Sequence, residues 1–250
     1  MRLDKFMSES KILSRKDCAK AVKRGRITVN GIVAKKSDMP INPQSDNITL
    51  DSAEVKYRKF IYIMLNKPQG YVSATEDSSL PTVVELLSDE YRRYEPFPCG
   101  RLDRDTVGLV LLTNDGEFAH ALLSPVRHVS KTYRFRAAEP LPDNAEKIFA
   151  QGITLIDGYE CKSAILEITT PDRCEGLITL TEGKYHQIKR MMGAIGNKIE
   201  FLERISFGSL TLDSSLDRGD FRPLTDSELA GLKNIQSKGS VTKSIQDTSV

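Results

Sequence analysis

Apolar positions in the first 25 residues recur three and four apart. Leu3, Phe6, Met7, Ile12, Leu13, Ala19 and Val22 predict two short helices. Ser14 is placed to cap the second, with Asp17 three residues on and Gly25 as its stop. Arg26–Val29 and Ile32–Ala34 then form two β-rich runs around Asn30-Gly31, a strong hairpin signal. Ile48-Thr49-Leu50 is a last short strand, and polar residues to Lys59 make a linker.

A different pattern starts at Phe60. Phe60–Leu65 reads as a buried strand that opens onto the turn Asn66-Lys67-Pro68-Gln69-Gly70. Thr82–Leu87 predicts a short helix capped by Thr82. Leu109–Leu112 is uninterrupted apolar sequence, as in a buried strand. It ends at Asp115-Gly116, where glycine is expected to take positive φ, and a helix follows with Phe118 and Leu122 on one face. Lys131–Arg136 alternates polar and apolar, placing Lys131, Tyr133 and Phe135 on one side. A helix near Asn144–Ala150 and β-like runs at Ile153–Ile156, Ala164–Thr169 and Leu177–Thr181 come next. From Glu182 a glycine turn enters a helix with Ile188, Met191, Met192 and Ile195 as its apolar stripe.

Strands dominate without a regular βαβ repeat. The expected class is therefore α+β: a small N-terminal α/β module over 1–59, then a domain over 60–235 with a mixed, largely antiparallel sheet flanked by helices. Residues 236–250, rich in Ser, Lys, Gly and Thr, are expected to form a disordered tail.

Charge sharpens that division. Residues 1–59 hold 14 Lys+Arg against 7 Asp+Glu, net +7, whereas the remainder holds 22 against 27, net −5. Arg15, Lys16, Lys20, Lys23 and Arg24 gather on the second helix, a layout suited to capturing a polyanion such as RNA. No apolar run approaches the roughly 20 residues that span a membrane. The first residues have no signal-peptide pattern, so a cytoplasmic location is expected. Cys18, Cys99, Cys161 and Cys174 form no CxxC pair, and His120, His128 and His186 lack zinc-ligand spacing. No disulfide, metal or cofactor is expected. Nothing demands a dimer, and a monomer is expected.

Candidate chemistry concentrates in Cys99–Gly116, where Arg101, Asp103, Arg104 and Asp105 crowd a loop leading into the apolar strand. Arginines near Asp103 favour its ionised form, which suits a nucleophile, an electrostatic stabiliser or a metal ligand. A solvated Arg-Asp salt bridge, or a metal-dependent hydrolase using Asp103 and Asp105, satisfies the same residues. Lys184, Lys189 and Arg190 form a second basic cluster. Gly183-Lys184 lacks the rest of a phosphate-binding loop. His186 by itself reads as a structural or surface histidine.

Two resemblances narrow these options. Arg2–Phe6, Ser14-Arg15 and Gly25–Gly31 are similar to the motifs of S4 RNA-binding domains. Gly100-Arg101-Leu102-Asp103, Thr106, Gly108-Leu109 and Leu112–Gly116 resemble the signature of the RsuA/RluB/RluE/RluF-type pseudouridine synthases. Asn66–Gly70, Lys131-Thr132-Tyr133 and Glu182–Met191 match further motifs of that family in order.

The second resemblance implies that Asp103 attacks the target uridine so that uracil detaches, turns and rejoins the sugar through C5, without metal or cofactor. It implies that Tyr133 stacks on the uracil and acts as a proton acceptor, and that Lys189 holds Asp103 ionised and aimed, with Arg190 the adjacent alternative. Ile188 becomes part of the apolar wall beneath the base. Arg101 helps extrude the nucleotide and hold its phosphate, and Lys67 and Lys184 join the RNA-binding set. Asp105 is left a supporting role. The Lys184–Met191 string resembles the small-subunit branch, so the implied partner is 16S rRNA or a small-subunit assembly intermediate. A 23S rRNA target, or a non-catalytic RNA-binding assembly factor, is the alternative.

Overall fold

The computed structural model describes residues 1–238, which divide into two compact units, Met1–Ile61 with Asp89–Glu95, and the rest. In the first, α1 (Leu3–Glu9) and α2 (Arg15–Lys23) pack on a four-stranded antiparallel sheet of β1 (Ile27–Val29), β2 (Ile32–Val33), β3 (Ile48–Leu50) and β4 (Ala53–Glu54), ordered β2-β1-β3-β4. Ser14 Oγ accepts the Asp17 N–H at 3.1 Å, the expected cap. Asn30 and Gly31 both have positive φ and turn β1 into β2. Leu3, Phe6, Cys18, Val22, Ile27 and Ile48 form the core, so the opposite side of α2 leaves Arg15, Lys16, Lys20 and Lys23 exposed. The short α3 (Asp89–Arg92) also belongs to this unit.

The second unit is built on a nine-stranded sheet. Its elements are β5 (Tyr62–Lys67), β6 (Phe97–Pro98), β7 (Val107–Thr113), α4 (Gly116–Leu123), β8 (Lys131–Ala137), α5 (Ala145–Gln151), β9 (Ile165–Ile168), β10 (Glu175–Leu180), α6 (Gln187–Ala194), β11 (Ile199–Phe207), β12 (Leu210–Thr211), β13 (Phe221–Pro223) and α7 (Asp226–Lys238). The main path runs β13-β5-β7-β11-β8-β10-β9, with β12 on β11 and β6 on β7. Among the described strands of this sheet only β7 and β11 pair in parallel, which makes the sheet mixed and largely antiparallel, as expected for this α+β chain. All seven residues of β7 are buried, and Leu109, Leu111, Phe118, Leu122, Phe207 and Leu232 knit one sheet face to α4 and α7.

Several local expectations change. Residues 82–87 form turns, not a helix, because Thr82 bridges to Val72 in parallel and its N–H and hydroxyl both bond Glu85. Ile153–Ile156 contributes only a bridge from Thr154 to Glu160. The first strand of this unit starts at Tyr62, and Phe60 is exposed. Gly116 does not take positive φ. It is the first residue of α4, and the Asp115 carboxylate caps that helix by accepting the Phe118 N–H at 3.1 Å. Gln236, Ser237 and Lys238 complete α7, and the rest of the expected tail lies outside the described residues.

Candidate active site

The loop between β6 and β7 is pinned from beneath. Ser73 Oγ donates to the Leu102 carbonyl at 3.1 Å and accepts the Leu102 N–H at 3.0 Å. The Gly70 N–H donates to the Arg104 carbonyl at 2.9 Å. Lys67, fully buried at the end of β5, donates from Nζ to the carbonyls of Pro68, Arg104 and Thr106 at 3.1, 3.2 and 2.8 Å. Just downstream, Gly108 has φ +98°, and a Cβ there would lie 2.3 Å from the Arg204 carbonyl oxygen. Only glycine lets β7 approach β11 this closely. The polar loop therefore meets a rigid core element with little freedom left in its backbone.

That scaffold holds Asp103, half-buried, at a cavity of about 660 Å³. Lys189 Nζ, from α6, lies 3.3 Å from Asp103 Oδ2 and 2.5 Å from Asp105 Oδ1. One ammonium thus bridges both carboxylates. Burial alone would raise the pKa of Asp105, but the hydrogen bond and charge of Lys189 outweigh it and hold that carboxyl below its ordinary value. His186 Nε2 approaches the other carboxylate oxygen, Asp103 Oδ1, at 3.5 Å. Its backbone sits in the left-handed region at φ 49°, just ahead of α6, and its ring stacks on Tyr185 at 3.8 Å. A carboxylate with two basic neighbours, fixed to a rigid loop at the mouth of a cavity, is placed for nucleophilic attack or for stabilising positive charge on a substrate carbon.

Tyr133 and Ile188, both buried, line the cavity along with Leu102, Leu202 and Phe207, giving walls suited to a flat, partly apolar ring. Arg101, Lys184 and Tyr185 line it too and are exposed. Lys184 Nζ lies 5.0 Å from the centre of the Tyr159 ring. Asp103, Tyr133, Lys189, Ile188, Arg101 and Lys184 are thus brought to one place.

Two expected site residues are placed elsewhere. Lys67 was expected at RNA; its ammonium is buried and spent on loop carbonyls, so it acts as a clamp on the Asp103 loop. Arg190 pairs with Asp157 at 2.5 Å, one position too far round α6 to share Asp103 with Lys189. Arg15, Lys16, Lys20, Lys23 and Arg24 belong to the first unit. Sequence reasoning overlooked Ser73 and set His186 aside. The only available signal for His186 was its position three residues before Lys189, which places both at the start of one helix.

A family model described as RNA pseudouridylate synthase matches residues 61–194, and an S4 domain model matches residues 1–47. An uncharacterized RNA pseudouridine synthase of Bacillus subtilis (strain 168), YtzG, is 46% identical over 231 residues, covering 92% of this chain and 97% of its own. Ribosomal small subunit pseudouridine synthase A of Escherichia coli (strain K12) is 39% identical over 233 residues, 93% of this chain and 100% of its own. A crystal structure of a pseudouridylate synthase aligns over 93% of this chain and 99% of its own, with 38% identity and a TM-score of 0.65.

Proposed function

The chain belongs to the RNA pseudouridylate synthase family and carries an S4 domain, and on that premise we propose that it isomerises a uridine of 16S rRNA with Asp103 as nucleophile. The observation that carries the assignment is the placement of Asp103 between Lys189 and His186 at the cavity that Tyr133 and Ile188 line. The small-subunit target is favoured by the name and the 39% identity of the Escherichia coli relative.

A target uridine inside a stem is first turned out of the stack. Arg101, exposed and making no ion pair among the described residues, is available for its phosphate. Tyr133 packs against the entering ring. The Asp103 carboxylate attacks the sugar while Lys189 keeps it ionised and aimed, and the C1′–N1 bond breaks with its electron pair left on uracil. The base turns, C5 joins C1′ as the bond from Asp103 to C1′ breaks and returns its electron pair to the carboxylate, the C5 proton is lost and N1 gains one. Atoms and charge balance without a co-reactant. The first unit, with its exposed basic helix, contributes grip on RNA phosphates.

Position-resolved pseudouridine mapping of 16S and 23S rRNA, in cells with the normal chain, without it, and with Asp103→Ala, tests this reading. One 16S site missing in both altered strains is the expected result. A missing 23S site would move the target. Retained pseudouridine in the Asp103→Ala strain would remove Asp103 from its role, and no change anywhere would favour a non-catalytic RNA-binding factor.

A further inference from the structure

The floor of the cavity is one face of the sheet. β8 and β11 pair with Tyr133 opposite Arg204 and, beyond an irregularity in register between Arg204 and Ser206, Lys131 opposite Phe207. All four residues line the cavity. On the other face of β11, charges are matched: Glu203 is flanked by Arg134 at 3.6 Å and Arg218 at 2.7 Å.

On the cavity face they are not. Arg204 is 1% exposed, and its Nε donates to the Leu109 carbonyl at 2.7 Å. Its Nη2 is buried with no hydrogen-bond partner among the described residues. Lys131 Nζ donates to the Val129 carbonyl at 3.2 Å, and both cations lie against the Phe207 ring, at 5.4 and 5.7 Å from its centre. Burial, reinforced by the nearby Arg204, pushes the Lys131 pKa down. Glu182, a carboxylate whose charge reaches Lys131, is itself engaged by the Tyr159 hydroxyl, the Lys162 N–H and Gln187 Nε2.

A buried guanidinium and a half-buried ammonium without a paired anion among the described residues are costly, and a guanidinium donor without an acceptor adds to that cost. The arrangement makes physical sense if the acceptor arrives with the substrate. A flipped nucleotide enters base first and leaves its phosphates at the mouth, so the groups that reach a floor are the carbonyls of the base.

We infer that Arg204 and Lys131 form a cationic floor that receives the uracil carbonyl oxygens and stabilises the uracil anion formed when the C1′–N1 bond breaks. The inference rests on the assignment of this cavity to uridine isomerisation. N1 keeps the bonding pair, the charge spreads onto O2 and O4, and fixed donors already in place meet it without reorganisation. As C5 bonds to C1′ the anion's electron pair forms the new bond and the negative charge passes back to the Asp103 carboxylate as its bond to C1′ breaks; loss of the C5 proton and protonation of N1 then leave the base neutral.

The test varies the leaving group. Single-turnover rates of C1′–N1 bond cleavage by the full chain are measured on 16S and 23S rRNA transcripts made with uridine or with 5-fluorouridine, whose fluorine stabilises the departing anion by itself and, leaving no C5 proton to lose, holds the base at the C5-linked stage. Arg204→Met is expected to slow uridine RNA by about a hundredfold, to slow 5-fluorouridine RNA about tenfold or less, and to leave RNA affinity unchanged. Arg204→Lys recovers part of the loss. Lys131→Met, at a less buried site, shows the same pattern more weakly and decides the matter if Arg204→Met does not fold. Equal losses on both substrates, or a loss confined to RNA affinity, would overturn the cationic floor. If Asp103→Ala is inactive in the same assay, such a result leaves the isomerase reading standing. A wild-type chain that isomerises neither transcript would remove both.

Discussion

The two units of this protein handle positive charge in opposite ways. On α2, Arg15, Lys16, Lys20 and Lys23 stand in solvent, and among the described residues only Lys20 is tied, to Asp17 at 2.9 Å. In the second unit Lys67 and Arg204 are buried and Lys131 and Lys189 are largely so, each fixed against a carbonyl, a carboxylate or a ring. Exposed cations act at range, tolerate imprecise geometry and are screened by salt. Buried cations carry a desolvation cost that only a specific, well-placed partner offsets. The first arrangement suits holding a long polyanion, and the second suits placing single atoms. Substitutions in the two sets should therefore fail differently.

The largest effect is expected at Lys189. Lys189→Met leaves the Asp103 and Asp105 carboxylates facing one another without the cation that bridges them. The Asp105 carboxyl loses the hydrogen bond and charge that hold it below its ordinary value, and a nucleophile that loses its aim costs about a hundredfold in rate. Single-turnover rates should fall by about that factor, with RNA affinity within about threefold of wild type. A rate unchanged from wild type would mean that Lys189 is only a surface tie.

On α2 the signature reverses. Replacing Lys16, Lys20 and Lys23 with Ala should weaken RNA binding and flatten the dependence of log affinity on log salt by roughly 0.7–0.9 for each phosphate that is no longer neutralised. The single-turnover rate at saturating RNA should stay at the wild-type value. A loss of rate at saturation would place the basic helix in the chemistry and erase the contrast between the units.

How much of this was legible in the sequence depends on whether the determinant is local. Ser14, the Asn30-Gly31 turn and the apolar run of β7 are short-range signals and were readable. The second turn of the small sheet was not, because Asp51 and Ser52 take positive φ without a glycine to mark it. The stretch after residue 195 carries no motif, yet it supplies β11 at the centre of the large sheet and with it Arg204. Asp103, Tyr133 and Lys189 were found through spaced motifs that resemble a family. The role of Lys67 was hidden because its partners are carbonyls up to 39 residues away, and backbone atoms leave no trace in residue identity. For the same reason the helix expected over 82–87 gave way to turns, since the bridge between Thr82 and Val72 is a tertiary feature.

The smallest effect, and the one that most finely separates the two kinds of cation, concerns protonation of Lys67. Burial pushes its pKa down from an ordinary 10.5 to about 8, against the opposing pull of Asp105 and Asp103. Below pH 8 the folded state bears the full cost of keeping the ammonium charged. Between about 8 and 10.5 the unfolded chain binds more protons than the folded one, so stability contributed by this group rises with pH. The useful window ends near pH 9, because the buried Cys99 thiol, raised from an ordinary 9.0 to about 12, works in the opposite direction above it. Function should move the other way. The ammonium has three N–H donors for the carbonyls of Pro68, Arg104 and Thr106, whereas the neutral amine has two. Chemical denaturation of wild type and Lys67→Met should show their difference in unfolding free energy shifting by about 1 kcal/mol in favour of wild type from pH 8 to 9. Over the same interval the wild-type single-turnover rate should decline as one hydrogen bond to the Asp103 loop disappears. A difference that stays flat with pH would mean that Lys67 keeps an ordinary pKa and clamps the loop by packing alone.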